Sequence, residues 1–197
     1  AEAGYLPEAV FNYLCLLGWS PKDDSQLLKL EDVIAKFDLP QILRGNAKFD
    51  MAKLQWLNGE YLKTASADRF DALCLRELQR GGVDTGGASP EDLRGVLELY
   101  REKYQQLIDA PQSAAFFFTE QFPRDPEAVA STLTPESKPL VTRLIKALES
   151  LPDFQADTIQ SVFKPLSQEL GVKVGALVGP TRVALTGSKV GPSLYHL

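Results

Sequence analysis

Nine residues near the end of the chain, Gly179-Pro-Thr-Arg-Val-Ala-Leu-Thr-Gly187, gather side chains suited to recognition chemistry. Pro180 is expected to break a helix and leave backbone groups unpaired. Thr181 and Arg182 then add hydroxyl and guanidinium donors, Val183, Ala184 and Leu185 anchor the turn, and Gly187 releases it. Such a set can read the edges and backbone of unstacked bases. The same spacing also suits an arginine that tops a helix C-terminus and satisfies its carbonyls. From Phe163 to Leu197, Lys164, Lys173, Arg182 and Lys189 oppose Glu169 alone, a local +3 within a chain of net charge -5, so the other 162 residues carry -8. That balance argues against sequence-blind polyanion binding over the whole surface and leaves room for one basic face.

Little else in the chain is equipped for catalysis. His196 is the only histidine, one residue from the end, which excludes a Ser-His-Asp or Cys-His nucleophile in the core and histidine-rich metal sites. No phosphate loop and no strand followed by a GxGxxG turn occurs. Gly81-Gly82 and Gly86-Gly87 read as linker, and Asp23-Asp24 and Glu31-Asp32 as solvated acids of turns and helix starts. Cys15 and Cys74 sit among leucines at helical spacing and read as free core residues, with no disulfide or metal role. With both cysteines free the chain reads as cytoplasmic, and since no apolar run approaches the roughly 18 residues of a membrane span and no basic-then-apolar leader is present, no membrane partner is expected. Alanine at position 1 points to a processed or cut start.

The elements that must position these residues are helices. Pro7 to Gly18 carries Val10, Tyr13, Leu14 and Leu17 on one stripe, between a first-turn proline and a glycine stop. Leu30, Val33, Ile34 and Phe37 mark a second helix, and Asp50 caps a third with Leu54, Leu57 and Tyr61 in register. A fourth runs from Ala67 to about Gln79 before the break GGVDTGGASP. Ser89-Pro90-Glu91-Asp92 opens the next, with Leu93, Val96, Leu97, Tyr100, Tyr104 and Leu107 on its buried side. DAPQSAAFFFTEQFPRD is a bend between domains whose three phenylalanines are too apolar to be left in water. Two further helices follow, Thr134 to about Ser150 and Asp157 to Leu170, the latter kinked at Pro165. Nothing alternates with period two, so the expected class is all-α.

Four collinear segments together resemble one family, the bacterial glutamate–tRNA ligases among the class I aminoacyl-tRNA synthetases. EAGYLPEAVFNYLCLLGWSP resembles the stretch that follows the KMSKS-type loop, and FDMAKLQWLNGEYL the F-D-x-x-K-L-x-W-x-N helix. APQSAAFFFTEQF is similar to the family's Phe-Phe bend, and LGVKVGALVGPTRVALTG to its late P-x-R-x-A-L-T-G signature. The resemblance implies a stem-contact helical fold over 1–64 and two helical anticodon-binding domains, 65–122 and 123–197. The HIGH-type and KMSKS-type motifs would lie before Ala1 and another helix after Leu197. The expectation is therefore a C-terminal tRNA-binding fragment with no catalytic residue and no cofactor of its own, inactive alone, from a parent that uses ATP, Mg²⁺ and glutamate.

The implied partner is tRNA of the glutamate family, bound by a monomer, and DNA is not implied. A family helix matching ELYREKYQQL carries an arginine facing the third anticodon base; Lys103 holds that position, with Arg101 two residues before it. Lysine offers a mobile point charge where arginine offers a planar fork, which bears on the choice among glutamate and glutamine tRNAs. Lys173, Pro180, Thr181 and Arg182 fall in the late signature and are expected at the anticodon. Lys53, Trp56 and Lys63 are expected at the stem, although Trp56 reads more readily as covering a core edge and surface lysines usually act only as solubilising charges. The alternative is an all-α adaptor whose apolar bends dock a protein.

Overall fold

The seven expected helices form and three more join them, making ten α-helices and four 3-10 turns among the described residues, with no strand. The structure is a computed structural model and describes residues 3–43, 45 and 47–197. It divides into two units, Ala1–Pro111 and Gln112–Leu197, each with its own core. Among the described residues no helix is long and apolar enough to cross a membrane.

The first unit holds α1 (Pro7–Gly18), α2 (Leu30–Lys36), α3 (Met51–Thr64), α4 (Ala67–Arg80) and α5 (Pro90–Arg101). Asp50 Oδ1 accepts the Lys53 N–H at 3.1 Å and Ser89 Oγ accepts the Asp92 N–H at 3.1 Å, so both expected caps form. Tyr13, Leu54 and Leu57 make the α1–α3 core, with Val10, Leu16 and Leu17 packed against it. Leu14, expected on that stripe, is exposed. The α2 stripe is also corrected. Only Val33 inserts, beside Trp19 and Leu28, whereas Ile34 stays 71% exposed because no described residue covers its side of a two-turn helix. α5 stops at Arg101, short of Tyr104 and Leu107. The chain turns there, and Tyr104 folds back to stack on Tyr100 with ring centroids 5.1 Å apart. Both Tyr104 and Leu107 are buried by the turn, not by a continued helix.

The short α6 (Ala110–Ala114) spans the point of division. The second unit holds α7 (Pro126–Thr132), α8 (Ser137–Glu149), α9 (Ala156–Glu169) and α10 (Gly175–Thr186). Its core is Leu144, Phe163, Leu166, Leu177 and Leu194, joined by Leu140, Leu148, Ile159 and Val162. The α9 stripe is thus buried as its spacing requires. α8 starts at Ser137 and not at Thr134, because the Thr134 carbonyl closes a turn with the Ser137 N–H at 3.1 Å. α9 runs unbroken past Pro165. A closing 3-10 turn, Leu194–His196, lays Tyr195 edge-on against Phe163 at 5.1 Å.

Candidate functional site

In the second unit the glycine-bounded segment is not a broken turn. α10 continues through Pro180, which is buried in its interior. The proline ring removes one intrahelical donor, yet Leu177, Pro180 and Val183 lie on the core side, and packing of that face offsets the loss. The Thr181 hydroxyl donates to the Leu177 carbonyl at 2.8 Å, turning back along its own helix. Val183 anchors the helix fully buried, but Ala184 and Leu185 face outward. Gly187 ends it as expected, with φ +71°.

Arg182 is half-buried, and its Nη1 donates to the Pro192 carbonyl at 2.6 Å. It thereby ties α10 to the segment that carries exposed Lys189. Neither sequence reading foresaw this: the arginine satisfies a carbonyl ten residues on, not one at the end of its own helix. Lys173 is exposed in the α9–α10 connection, and Lys164 is exposed on α9. Among the described residues, neither lysine, nor Lys189, has an ion-pair partner.

In the first unit Arg101 is committed to the fold. Its side chain is 13% exposed. Nη2 and Nε donate to the Glu98 carboxylate at 2.6 and 2.7 Å, and Nη1 donates to Ala65 O at 2.9 Å and to Leu62 O at 3.4 Å. The guanidinium face lies 4.2 Å from the Phe70 ring centroid. The bonded Glu98 raises the arginine above its ordinary value, and the same bond lowers the Glu98 carboxyl. Lys103 is exposed in the turn beyond, its N–H donating to Tyr100 O at 2.8 Å.

Lys63 reaches Glu102, the residue after Arg101. Its Nζ is 2.7 Å from Glu60 and 3.8 Å from Glu102, and the Glu60 bond raises its pKa. Lys53 and Trp56 sit nearer the start of α3, Lys53 partly buried and Trp56 42% exposed. The residues expected to share an anticodon face therefore fall in two units, Arg101 and Lys103 in one, Lys173 and Pro180–Arg182 in the other.

Asn58 does work that its sequence position did not disclose. Fully buried, its Oδ1 accepts the Leu6 N–H at 2.7 Å and its Nδ2 donates to Gln105 O at 2.6 Å and Gly4 O at 3.3 Å. A polar residue on the buried side of a helical stripe was the available signal. The Asp125 N–H donates to Gly187 O at 2.9 Å, pinning the end of α10. Among the described residues no group of three or more His, Cys, Asp or Glu side chains could hold a metal ion.

Comparison with known proteins agrees with this helical architecture. A family model described as an anticodon binding domain matches residues 55–197. A second, described as the catalytic domain of class I tRNA synthetases (E and Q), matches residues 1–56. The chain is 39% identical over 197 residues to a glutamate–tRNA ligase of Geotalea uraniireducens, covering all of this chain and 41% of that protein. It is 37% identical to one of Akkermansia muciniphila, covering 98% of this chain and 43% of the relative. The solved structure of a glutamate tRNA ligase from Elizabethkingia meningosepticum, in complex with its amino acid, superposes with a TM-score of 0.80 at 30% identity, over 98% of this chain and 38% of that one.

Proposed function

Because the chain belongs to the anticodon-binding-domain family, we propose that it is the tRNA-holding part of a glutamate–tRNA ligase. The observation that carries this reading is the match to such ligases along the whole chain, at 39% identity. The chain spans 41% of the length of that relative, and the catalytic-family match is confined to residues 1–56. In this reading the longer protein attaches glutamate to tRNA with ATP and Mg²⁺. The residues of this chain only hold the RNA, and no step of the reaction is assigned to them.

Residues 1–64 brace the inner stem through Lys53 and Trp56, and the helical remainder takes the anticodon arm. Lys173 and Lys189 supply phosphate contacts near α10. Arg182 acts as a positioning residue, because its bond to Pro192 O holds the Lys189-bearing segment. Lys103 faces the third anticodon position, with Arg101 bracing the end of its helix through Glu98 and Ala65. Lysine there gives charge without the paired geometry of a fork, and a softer preference at that base.

The test is binding of glutamate-family tRNA to the chain, followed by anisotropy across a salt series. Affinity should fall steeply with salt, as phosphate contacts displace counterions. Arg182→Ala should weaken binding about tenfold, the order expected when a group that orders a contact loop is lost. Equal binding of unrelated tRNAs, or a salt-independent signal, contradicts the reading.

A further inference from the structure

Phe116, Phe117, Phe118, Thr119, Glu120, Phe122 and Arg124 line an open cavity of about 590 Å³ in the second unit. That volume falls within the about 300–1,000 Å³ usual for sites that take small ligands. Its walls are unusual for water-facing surface. Phe116 and Phe117 lie 4.2 Å apart, Phe122 meets Phe116 edge-on at 6.0 Å, and all four rings are only half-buried. At the rim the Arg124 guanidinium lies 4.7 Å from the Phe122 ring centroid. Among the described residues no carboxylate pairs with it, so its N–H edge is uncommitted while its face is held by the ring.

Half-exposed π-faces beside an unpaired cation match the needs of an unstacked nucleotide. A base gains stacking on aromatic rings, and a phosphate gains charge-assisted hydrogen bonds from a guanidinium. Thr119 and Glu120 add a hydroxyl and a carboxylate, the latter able to accept from an exocyclic amine of a base and unable to bind a phosphate. An apolar peptide segment would explain the rings but leave the unpaired guanidinium unused. The cavity is also joined to the signature helix. Arg124 precedes Asp125, whose N–H donates to Gly187 O at 2.9 Å, and the Arg124 Cα lies 3.0 Å from where a Gly187 Cβ would stand.

Resting on the tRNA-binding reading above, we propose that this phenylalanine–arginine groove receives one unstacked nucleotide of the bound tRNA. The base lies against the rings and its phosphate on Arg124. The test uses the whole chain and a glutamate-family anticodon stem-loop RNA with 5-iodouridine in the loop. Photocrosslinks should map to the peptide carrying residues 116–124. Phe122→Leu, which keeps an apolar side chain but loses the π-face, should weaken binding about 3- to 10-fold. Arg124→Gln should do likewise and lower the salt slope by about one, while Arg124→Lys restores the slope but not the full affinity.

RNA bound with unchanged affinity by Phe122→Leu and Arg124→Gln, with crosslinks elsewhere, overturns the groove and leaves the tRNA reading intact. No binding by the unaltered chain sinks both. A naphthalene-sulfonate dye held by the phenylalanines and not displaced by saturating RNA would mean that another apolar surface, and no nucleotide, belongs there.

Discussion

Arg101 and Arg182 carry the same group and spend it differently from what their positions in the sequence promised. Arg101 closes the α3–α4 corner, gripping Ala65 O and Glu98 while lying on Phe70. Arg101→Met should therefore act first on stability, by about 2–3 kcal/mol, because it leaves a part-buried carbonyl and a carboxylate without their donor. Urea unfolding followed by tryptophan fluorescence measures this, and Arg101→Lys should recover only part of the loss, since an ammonium cannot span both acceptors. Cys74 gives a second prediction at this scale. Burial, with Asp71 adding to it, pushes its thiol from 9.0 up to about 12. Between those values the unfolded chain sheds the proton and the folded chain keeps it, so stability falls as pH rises from 9.0 towards about 12. Cys74→Ala should flatten that alkaline loss. At neutral pH a thiol reagent should modify Cys74 only on unfolding, and the half-buried Cys15 before it.

Among the elements, the helix starts capped by Asp50 and Ser89 were legible, while the uncapped start of α8 and the interior of α10 were not. Asp50 and Ser89 cap where the sequence placed them because a cap is a local contract between one side chain and an amide three residues on. Pro180 stays inside α10, against the break its type predicts, since the cost of a lost backbone bond is local, whereas the compensation comes from the core that Leu177 and Val183 enter. Apart from Val33, the apolar stripe of α2 stays exposed for the converse reason: helical spacing says that a stripe exists, not that anything covers it. The end of α10 is a sharper case. A Cβ at Gly187 would stand 2.9 Å from Pro123 O, on a backbone with φ +71°. Gly187→Ala should destabilise the second unit by about 2–3 kcal/mol, read as a lower urea midpoint in circular dichroism. On α3, Asn58→Ala should cost about 3 kcal/mol, because a buried amide and carbonyls lose their partner together.

At the scale of the molecule, the division at Pro111 separates cores and charges. The second unit carries eight basic and eight acidic residues, so the entire net charge of -5 belongs to the first. Both tryptophans, Trp19 and Trp56, also lie in the first unit. Fluorescence therefore reports one core and far-UV circular dichroism reports both, and their denaturant transitions should not coincide. Coincident curves at all wavelengths would mean that the units unfold as one. The sequence by itself determined that the chain is helical, that Asp50 and Ser89 cap helices, which stripes of α3 and α9 are apolar, and which family it resembles, because each rests on the order and spacing of residues a few positions apart. Only the tertiary structure decided that Arg101 braces a corner, that Arg182 tethers Pro192, and that four phenylalanines open beside an unpaired Arg124. A cation's partner is whichever carbonyl, carboxylate or ring the fold brings within about 3–5 Å, and spacing along the chain does not encode that distance.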